Sequence, residues 1–376
     1  MTGIILAGGE ARRMGECKAL LPVPRLSALD TIVSRMRGAS VCDIVVVTGG
    51  HREKTAKEAK RLGCRPVFNP EYKSGMYSSV LAGVRALPPG ADAFFVLPVD
   101  TPLVKQCTYA ALMDAFYGSC GNPDIVYPTF MGSGGHPPLI GRAMTDPILN
   151  WRGEGGLRGL LAKCPNKFLE LPTGDRASTL DMDTKEDYAK LLEYAKREFI
   201  PDEEECSELL RIAETPTRVV MHMRAVARSA ALIVDSLARR GFKINARLLV
   251  SACLLHDLAK GRKNHEAQGA RWLQVRGYGK VAKIVASHKD LPASKGIGEA
   301  EILYLADKIT DGESVLTVES RAAKMESRFP PGSEALANAL RRMSRAAEIQ
   351  RRVETAAGAA LGEILGLMGS AADGRR

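Results

Sequence analysis

The first 200 residues alternate short, almost unbroken apolar runs with stretches of helical periodicity: GIILA at 3–7, DIVVVTG at 43–49, FFVLPVD at 94–100 and DIVYPTF at 124–130. A strand with one wet face alternates apolar and polar residues, whereas a strand covered on both faces is apolar throughout. Four such runs separated by helices predict a parallel, doubly wound sheet, an α/β Rossmann-like domain over residues 1–199. The pattern changes at IPDEEECSE (200–208), where a proline and an acidic block mark a boundary. Beyond it, apolar residues recur at helical spacing in RAVARSAALIVDSLARRG (224–241), ARLLVSACLLHDLAK (246–260) and AEILYLADKIT (300–310), so residues 207–330 predict an all-α domain. RFPPGS (328–333) interrupts that periodicity before a last amphipathic stretch. Residues 331–368 therefore read as a helical extension that either covers the domain or pairs two chains into a homo-oligomer.

A length of 376 residues suits two cores of ordinary size. The eight cysteines include no CxxC pair, which favours reduced thiols over a disulfide framework. No window approaches the ~20 apolar residues of a membrane span, so a cytoplasmic protein that meets no membrane is expected. The formal charge of +10 is spread over both halves and is not gathered into a basic block with aromatics. That argues against a nucleic-acid partner and suits phosphorylated ligands.

Candidate chemistry in the first half begins with GIILAGGEARRMGECKALLP, a strand, a glycine turn and basic residues ahead of a helix. Gly8 and Gly9 let backbone amides approach a phosphate, and Arg12, Arg13 and Lys18 supply charge for a triphosphate. The spacing is neither that of a Walker loop nor GxGxxG. Asp100 ends the run FVLPVD, and Asp181 and Asp183 follow some 80 residues later in STLDMDTKEDY. Strand ends of a parallel sheet share one rim, so Asp100 and Asp183 are expected to converge there on Mg²⁺. Asp181 is expected to support that site or, like Asp187, to cap the helix KEDYAKLLEYA.

The motif LAGGxxxRMGxxK, running from Leu6 and Ala7 through Gly8, Gly9 and Arg13 to Lys18, resembles the molybdenum cofactor nucleotidyltransferase family. NPEYKSGMYSSVLAGVRAL (69–87), LPVDTPLV (97–104), GGHPPLIGR (134–142), GEGGLRGLL (153–161) and LDMDT (180–184) resemble its cytidylyltransferase branch in the same order. The likeness implies transfer of CMP from CTP to a molybdopterin-type phosphate acceptor, with Lys18, Arg13, Asp100 and Asp183 carrying catalysis. It implies nucleotide contacts at Gly75, Ser78 and Ser79 and a substrate-side role for His136. Three positions depart from the pattern. The loop reads LAGG, as in the guanylyl branch, which leaves CTP and GTP both open; the segment after Lys18 lacks the usual glycine; and Glu154 stands where the family has Asp.

In the second half, four of the chain's six histidines, His222, His256, His265 and His288, fall within 67 residues, accompanied by Asp257 and Asp307. Singly each reads as a core or cap residue; together on neighbouring helices they read as a dinuclear transition-metal site. The order H, HD, H, H, D resembles the HD metal-dependent phosphohydrolases in their two-metal form. That likeness implies two ions such as Fe, Mn, Co or Ni and a phosphorylated substrate. Lys260 is a candidate for the substrate phosphate, and Lys308 and Asp311 read as supporting or surface residues. The rival readings are a guanylyl or sugar-phosphate nucleotidyltransferase, and an HD half that senses nucleotides without turning them over.

Overall fold

The computed structural model describes residues 1–10, 13–119, 123–163 and 168–366; Arg12 lies outside them. The chain divides into two compact units, Met1–Glu198 and Phe199–Arg376.

The first unit is built on strands β1 (Thr2–Ala7), β2 (Asp43–Thr48), β3 (Arg65–Phe68), β4 (Ala93–Pro98), β5 (Ile125–Phe130), β6 (Leu139–Gly141) and β7 (Phe168–Pro172), in the spatial order β7-β5-β6-β4-β1-β2-β3. A two-residue strand, Ser133–Gly134, pairs with the end of β5. β1 runs parallel to both β2 and β4, but β6 is antiparallel to its neighbours β4 and β5. The sheet is therefore mixed where the apolar runs predicted a parallel one, because the short LIG segment returns against β4.

Alternate residues of β1 serve opposite cores. Ile5 and Ala7 pack with helices α1 (Ala28–Gly38), α2 (Arg52–Arg61) and α4 (Gln106–Gly118) through Leu29, Ile32, Ala59, Tyr109 and Leu112. Ile4 and Leu6 pack with α3 (Met76–Arg85), α5 (Thr145–Asn150) and α6 (Gly156–Leu161) through Val80, Val84, Ile148 and Leu160. Burial on both sides explains why the central strands are apolar throughout. After β1 the chain builds outward through β2 and β3, then crosses back so that β4 lies on the other side of β1. The crevice between the C-terminal ends of β1 and β4 is where such sheets bind ligands. Helix α7 (Lys185–Ala195) starts with a capping box between Thr184 and Asp187. The cap expected of Asp181 or Asp187 is thus Thr184 backed by Asp187, and Asp181 is not a cap.

The second unit is helical: α8 (Glu203–Ile212), α9 (Thr217–Ala238), α10 (Ala246–Leu255), α11 (His265–Val275), α12 (Gly279–Ser287), α13 (Glu299–Ile309), α14 (Val318–Arg328), α15 (Glu334–Ala357) and the single turn α16 (Leu361–Ile364). Met223, Val226, Ala230 and Ile233 of α9, Leu249 and Cys253 of α10 and Ile302 to Ala306 of α13 form its centre. Among the described residues no helix is long and apolar enough to cross a membrane.

Candidate functional sites

The crevice at the ends of β1 and β4 opens into a cavity of about 500 Å³ lined by Leu6, Ala7, Gly8, Gly9, Arg13, Lys18, Gly75, Ser79, Asp100 and Asp183. The glycine turn is held from below by a second glycine pair. Gly50 N donates to Gly8 O at 3.0 Å. A Cβ on Gly49 would fall inside van der Waals contact of that same carbonyl oxygen. On its other side the turn meets Ser79, whose Oγ would lie 2.9 Å from a Cβ on Gly8.

Lys18 Nζ lies 3.2 Å from Asp100 Oδ2 and 2.6 Å from Asp183 Oδ1. Three segments far apart in sequence thus bring one cation between two carboxylates. Burial alone would lower the Lys18 pKa, but its hydrogen bond to Asp183 and the charge of Asp100 more than offset that and raise it. Asp181 joins the same cluster. Burial first, then repulsion from Asp183 and Asp100, raises its carboxyl above the ordinary value. Hard oxygen ligands around one ammonium fit a divalent cation such as Mg²⁺.

Ser78 and Ser79 part company. Asn69 Nδ2 donates to both hydroxyls, at 2.8 and 3.1 Å, but Ser78 Oγ donates back to the carbonyls of Glu71 and Gly75, and only Ser79 faces the cavity. Ser78 shapes the turn before α3. His136 does not line the Lys18 cavity. It lines an adjoining one of about 810 Å³ with Tyr127, Arg158 and Glu170; the two cavities share Leu6, Met76 and Pro98. Surrounding protein lowers the His136 pKa, against the pull of Asp100 and Asp181, so its ring is neutral at pH 7.

Several residues of this region went unread in the sequence. Gly49 and Gly50 were visible as a second glycine pair closing the next strand. Tyr72, Lys73 and Arg158 lie in the blocks 69–87 and 153–161, but nothing within those blocks singles them out as lining the cavities.

In the second unit the six candidate ligands come from five helices or their ends. His222 lies on α9, His256 and Asp257 follow α10, His265 opens α11, His288 follows α12 and Asp307 lies on α13. They form two groups, His222/His256/Asp307 and Asp257/His265/His288, with ligand atoms in each within 4.8 Å of one another. Asp257 Oδ1 is 3.0 Å from His265 Nε2 and 3.4 Å from His288 Nε2, and its Oδ2 is 3.6 Å from His256 Nε2. Asp257 therefore reaches from one group to the other.

The outer nitrogens fix the tautomers. His256 Nδ1 lies 2.8 Å from Cys253 O, His288 Nδ1 2.7 Å from Val285 O and His222 Nδ1 3.1 Å from Gly312 O. A carbonyl only accepts, so each Nδ1 carries the proton and each Nε2 turns a lone pair inward. His256 Nε2 and Asp257 Oδ1 are buried and have no hydrogen-bond partner. Inward lone pairs beside orphaned buried oxygen are costly unless a cation joins them, so this donor set fits metal ions. Burial would raise the Asp307 pKa, but the charge of Lys308 beside it holds it well below the ordinary carboxylate value. Lys308 is not a surface residue. It pairs with Asp307 and donates to His288 O at 3.2 Å, tying together ligands of both groups. Lys260 Nζ donates to Asp257 Oδ2 at 2.8 Å from a half-exposed side chain.

Comparison with known proteins matches the family profile described as MobA-like NTP transferase domain at residues 3–168 and that of the HD domain at residues 219–311, the latter span containing all six histidine and aspartate positions. Molybdenum cofactor guanylyltransferase of Cereibacter sphaeroides is 32% identical over 194 residues, covering 50% of this chain and 93% of that one. Molybdenum cofactor cytidylyltransferase of Escherichia coli is 25% identical over 187 residues, 49% of this chain and 92% of that one. Nicotine blue oxidoreductase of Paenarthrobacter nicotinovorans is 27% identical over 203 residues, 51% of this chain and 96% of that one.

Proposed function

Since the chain belongs to the MobA-like NTP transferase family through its first half and carries an HD domain in its second, we propose that it transfers CMP from CTP to molybdopterin, releasing pyrophosphate, and that its HD half hydrolyses a phosphate ester or anhydride. The observation that carries the transferase reading is the Lys18 ammonium set between Asp100 and Asp183 beside the Gly8–Gly9 turn.

In such a transfer an acceptor phosphate oxygen bonds to the α-phosphorus as the bond from that phosphorus to the pyrophosphate oxygen breaks. No protein nucleophile is needed, so the chain's task is to align two anions and neutralise them. The glycine turn, held down by Gly49 and Gly50, brings backbone close to the triphosphate, while Arg13 and Lys18 balance its charge. Mg²⁺ held by Asp100 and Asp183 would neutralise the triphosphate further and free Lys18 from the two carboxylates. The adjoining cavity suits the acceptor: Arg158 offers the cation, and neutral His136 offers a hydrogen bond.

The blocks from Asn69 to Asp183 support the cytidylyl assignment. The Gly8–Gly9 pair and the 32% identity to a guanylyltransferase favour GTP as the second reading. In the HD half, His222, His256 and Asp307 would hold one transition-metal ion and Asp257, His265 and His288 the other, supplying an activated water and charge for a leaving oxygen. Lys260, half exposed beside Asp257, would meet a substrate phosphate.

The test offers the full chain each nucleoside triphosphate with molybdopterin or a sugar 1-phosphate and follows pyrophosphate. CTP with molybdopterin should give the highest turnover and Asp100→Ala should reduce it to background. Preference for GTP moves the assignment to the guanylyl reading, preference for a sugar phosphate displaces molybdopterin, and undiminished release by Asp100→Ala removes the site.

A further inference from the structure

Helix α15 lies beyond the residues matched by the HD family, and its buried stripe of Ala339, Met343, Ala346, Ile349, Val353 and Ala357 is enough to explain why it covers the core. Its arginines are surplus to that task. Arg342 forks onto Asp290, Nε to Oδ1 at 2.9 Å and Nη2 to Oδ2 at 3.0 Å. Arg345 Nη2 donates to Pro292 O at 3.0 Å, and Arg352 Nη1 donates to Ser294 O at 2.7 Å and Gly296 O at 2.9 Å. All these acceptors belong to the irregular segment 289–298, which connects His288 at the end of α12 to the start of α13, the helix that carries Asp307.

Backbone carbonyls in an irregular loop have no ladder or helix to satisfy them, so the conformation that survives is the one for which donors are supplied. Here one helix supplies them over three turns, and the Arg342 fork adds a geometrically demanding contact to the residue two beyond His288. The other end of the segment is pinned to α13, where Glu301 accepts from Gly298 N at 3.1 Å and pairs with Ser294.

We propose that α15 is a working part of the HD metal centre, in which Arg342, Arg345 and Arg352 are positioning residues that fix the 289–298 segment and thereby set His288 against Asp257 and His265. The inference rests on the reading of those three residues as metal ligands. Groups that orient a ligand without touching the metal typically change metal affinity by about 10- to 100-fold when removed. The effect falls on the Asp257/His265/His288 group. The other group contains no residue of the clamped segment or of the helix end that enters it.

The test titrates the full chain with Mn²⁺ and counts equivalents by calorimetry, with far-UV circular dichroism as the check on folding. With Asp100→Ala as the background, so that the carboxylates beside Lys18 take up no Mn²⁺, protein that keeps the arginines should bind two equivalents in its HD half. Arg342→Gln with Arg352→Gln should keep the helical spectrum and one tight equivalent while the second weakens by about 10-fold or more. Arg342→Asp should act likewise, and adding Asp290→Arg should recover much of the loss. The proposal is overturned if both equivalents keep their affinity, or if the two weaken alike, with or without loss of helix, which would make α15 a cover and nothing more. A background chain that keeps the arginines and binds no Mn²⁺ overturns the metal reading itself, a distinct outcome.

Discussion

Lys105 and Asp175 form an enclosed ion pair, 4% and 2% exposed, with Nζ and Oδ1 3.1 Å apart. Asp175 also accepts from Lys105 N, Thr108 Oγ1 and Ala177 N, at 2.8, 2.6 and 3.2 Å. These contacts staple the segment just after Asp100 to the one just before Asp181 and Asp183, so they set the carboxylates that meet Lys18. Asp175→Asn removes the carboxylate charge 3.1 Å from the buried Lys105 ammonium and should destabilise the first unit by about 3–5 kcal/mol. Urea unfolding reported by Trp151 fluorescence in a Trp272→Phe background measures it. Burial would raise the Asp175 pKa, but the charge of Lys105 and the hydrogen bond from Thr108 bring it below 3.8. A carboxyl depressed on folding contributes stability above its unfolded pKa and loses it as pH falls through the folded one. The gap between wild type and variant should therefore stay constant down to about pH 5 and close only below pH 4. The sequence did not disclose this pair: a lysine followed 70 positions later by an aspartate looks like two surface charges. Lys18 and Asp100 were legible because a glycine turn and a strand end mark them, Asp183 because LDMDT resembles a family block although it lies before α7 and not at a strand end, and the six HD positions because histidine is scarce elsewhere in the chain.

Among the elements, the central strands could be read and the outer ones could not, for one physical reason. β1, β2 and β4 are covered on both faces and are apolar throughout, whereas β3 (RPVF) and β7 (FLELP) close the two edges of the sheet, are only partly buried and carry prolines and charges. β6 has three residues, too few to show any period, yet it makes the sheet mixed. The turn after β1 shows how an element's shape depends on its neighbour. Gly49 and Gly50 end β2 under Gly8, leaving no room for a side chain at Gly49. A methyl there must push the Gly8 carbonyl, which is backbone and cannot swing away. Gly49→Ala should thus cost about 1–3 kcal/mol of stability. If the turn holds the triphosphate as proposed, Gly49→Ala should also raise KM for the nucleoside triphosphate more than it lowers kcat, because the contact would be made before and during transfer alike. Steady-state kinetics at saturating acceptor separates the two parameters; an unchanged KM would mean that the turn does not touch the nucleotide.

At the scale of the whole molecule, each constellation is complete within one unit. Lys18, Asp100, Asp183 and His136 all fall in Met1–Glu198, and the six candidate metal ligands, Lys260, Lys308 and the arginines of α15 all fall in Phe199–Arg376. Each unit also has its own apolar core, so a substitution that spoils one site leaves the packing under the other untouched. Two sites built this way should fail one at a time. Asp257 is the sharpest place to strike the second unit, because its two oxygens face His265, His288 and His256 together. In the full chain, Asp257→Ala should abolish metal binding in the HD half, read as loss of Mn²⁺ equivalents, while pyrophosphate release with nucleotide and acceptor stays at the wild-type rate. Asp100→Ala should do the reverse, binding Mn²⁺ in the HD half as the wild type does and releasing no pyrophosphate. A fall in transferase rate on Asp257→Ala, with circular dichroism unchanged, would show that the HD half does more than share a chain with the transferase, and would favour the reading in which it senses a nucleotide and regulates the transferase.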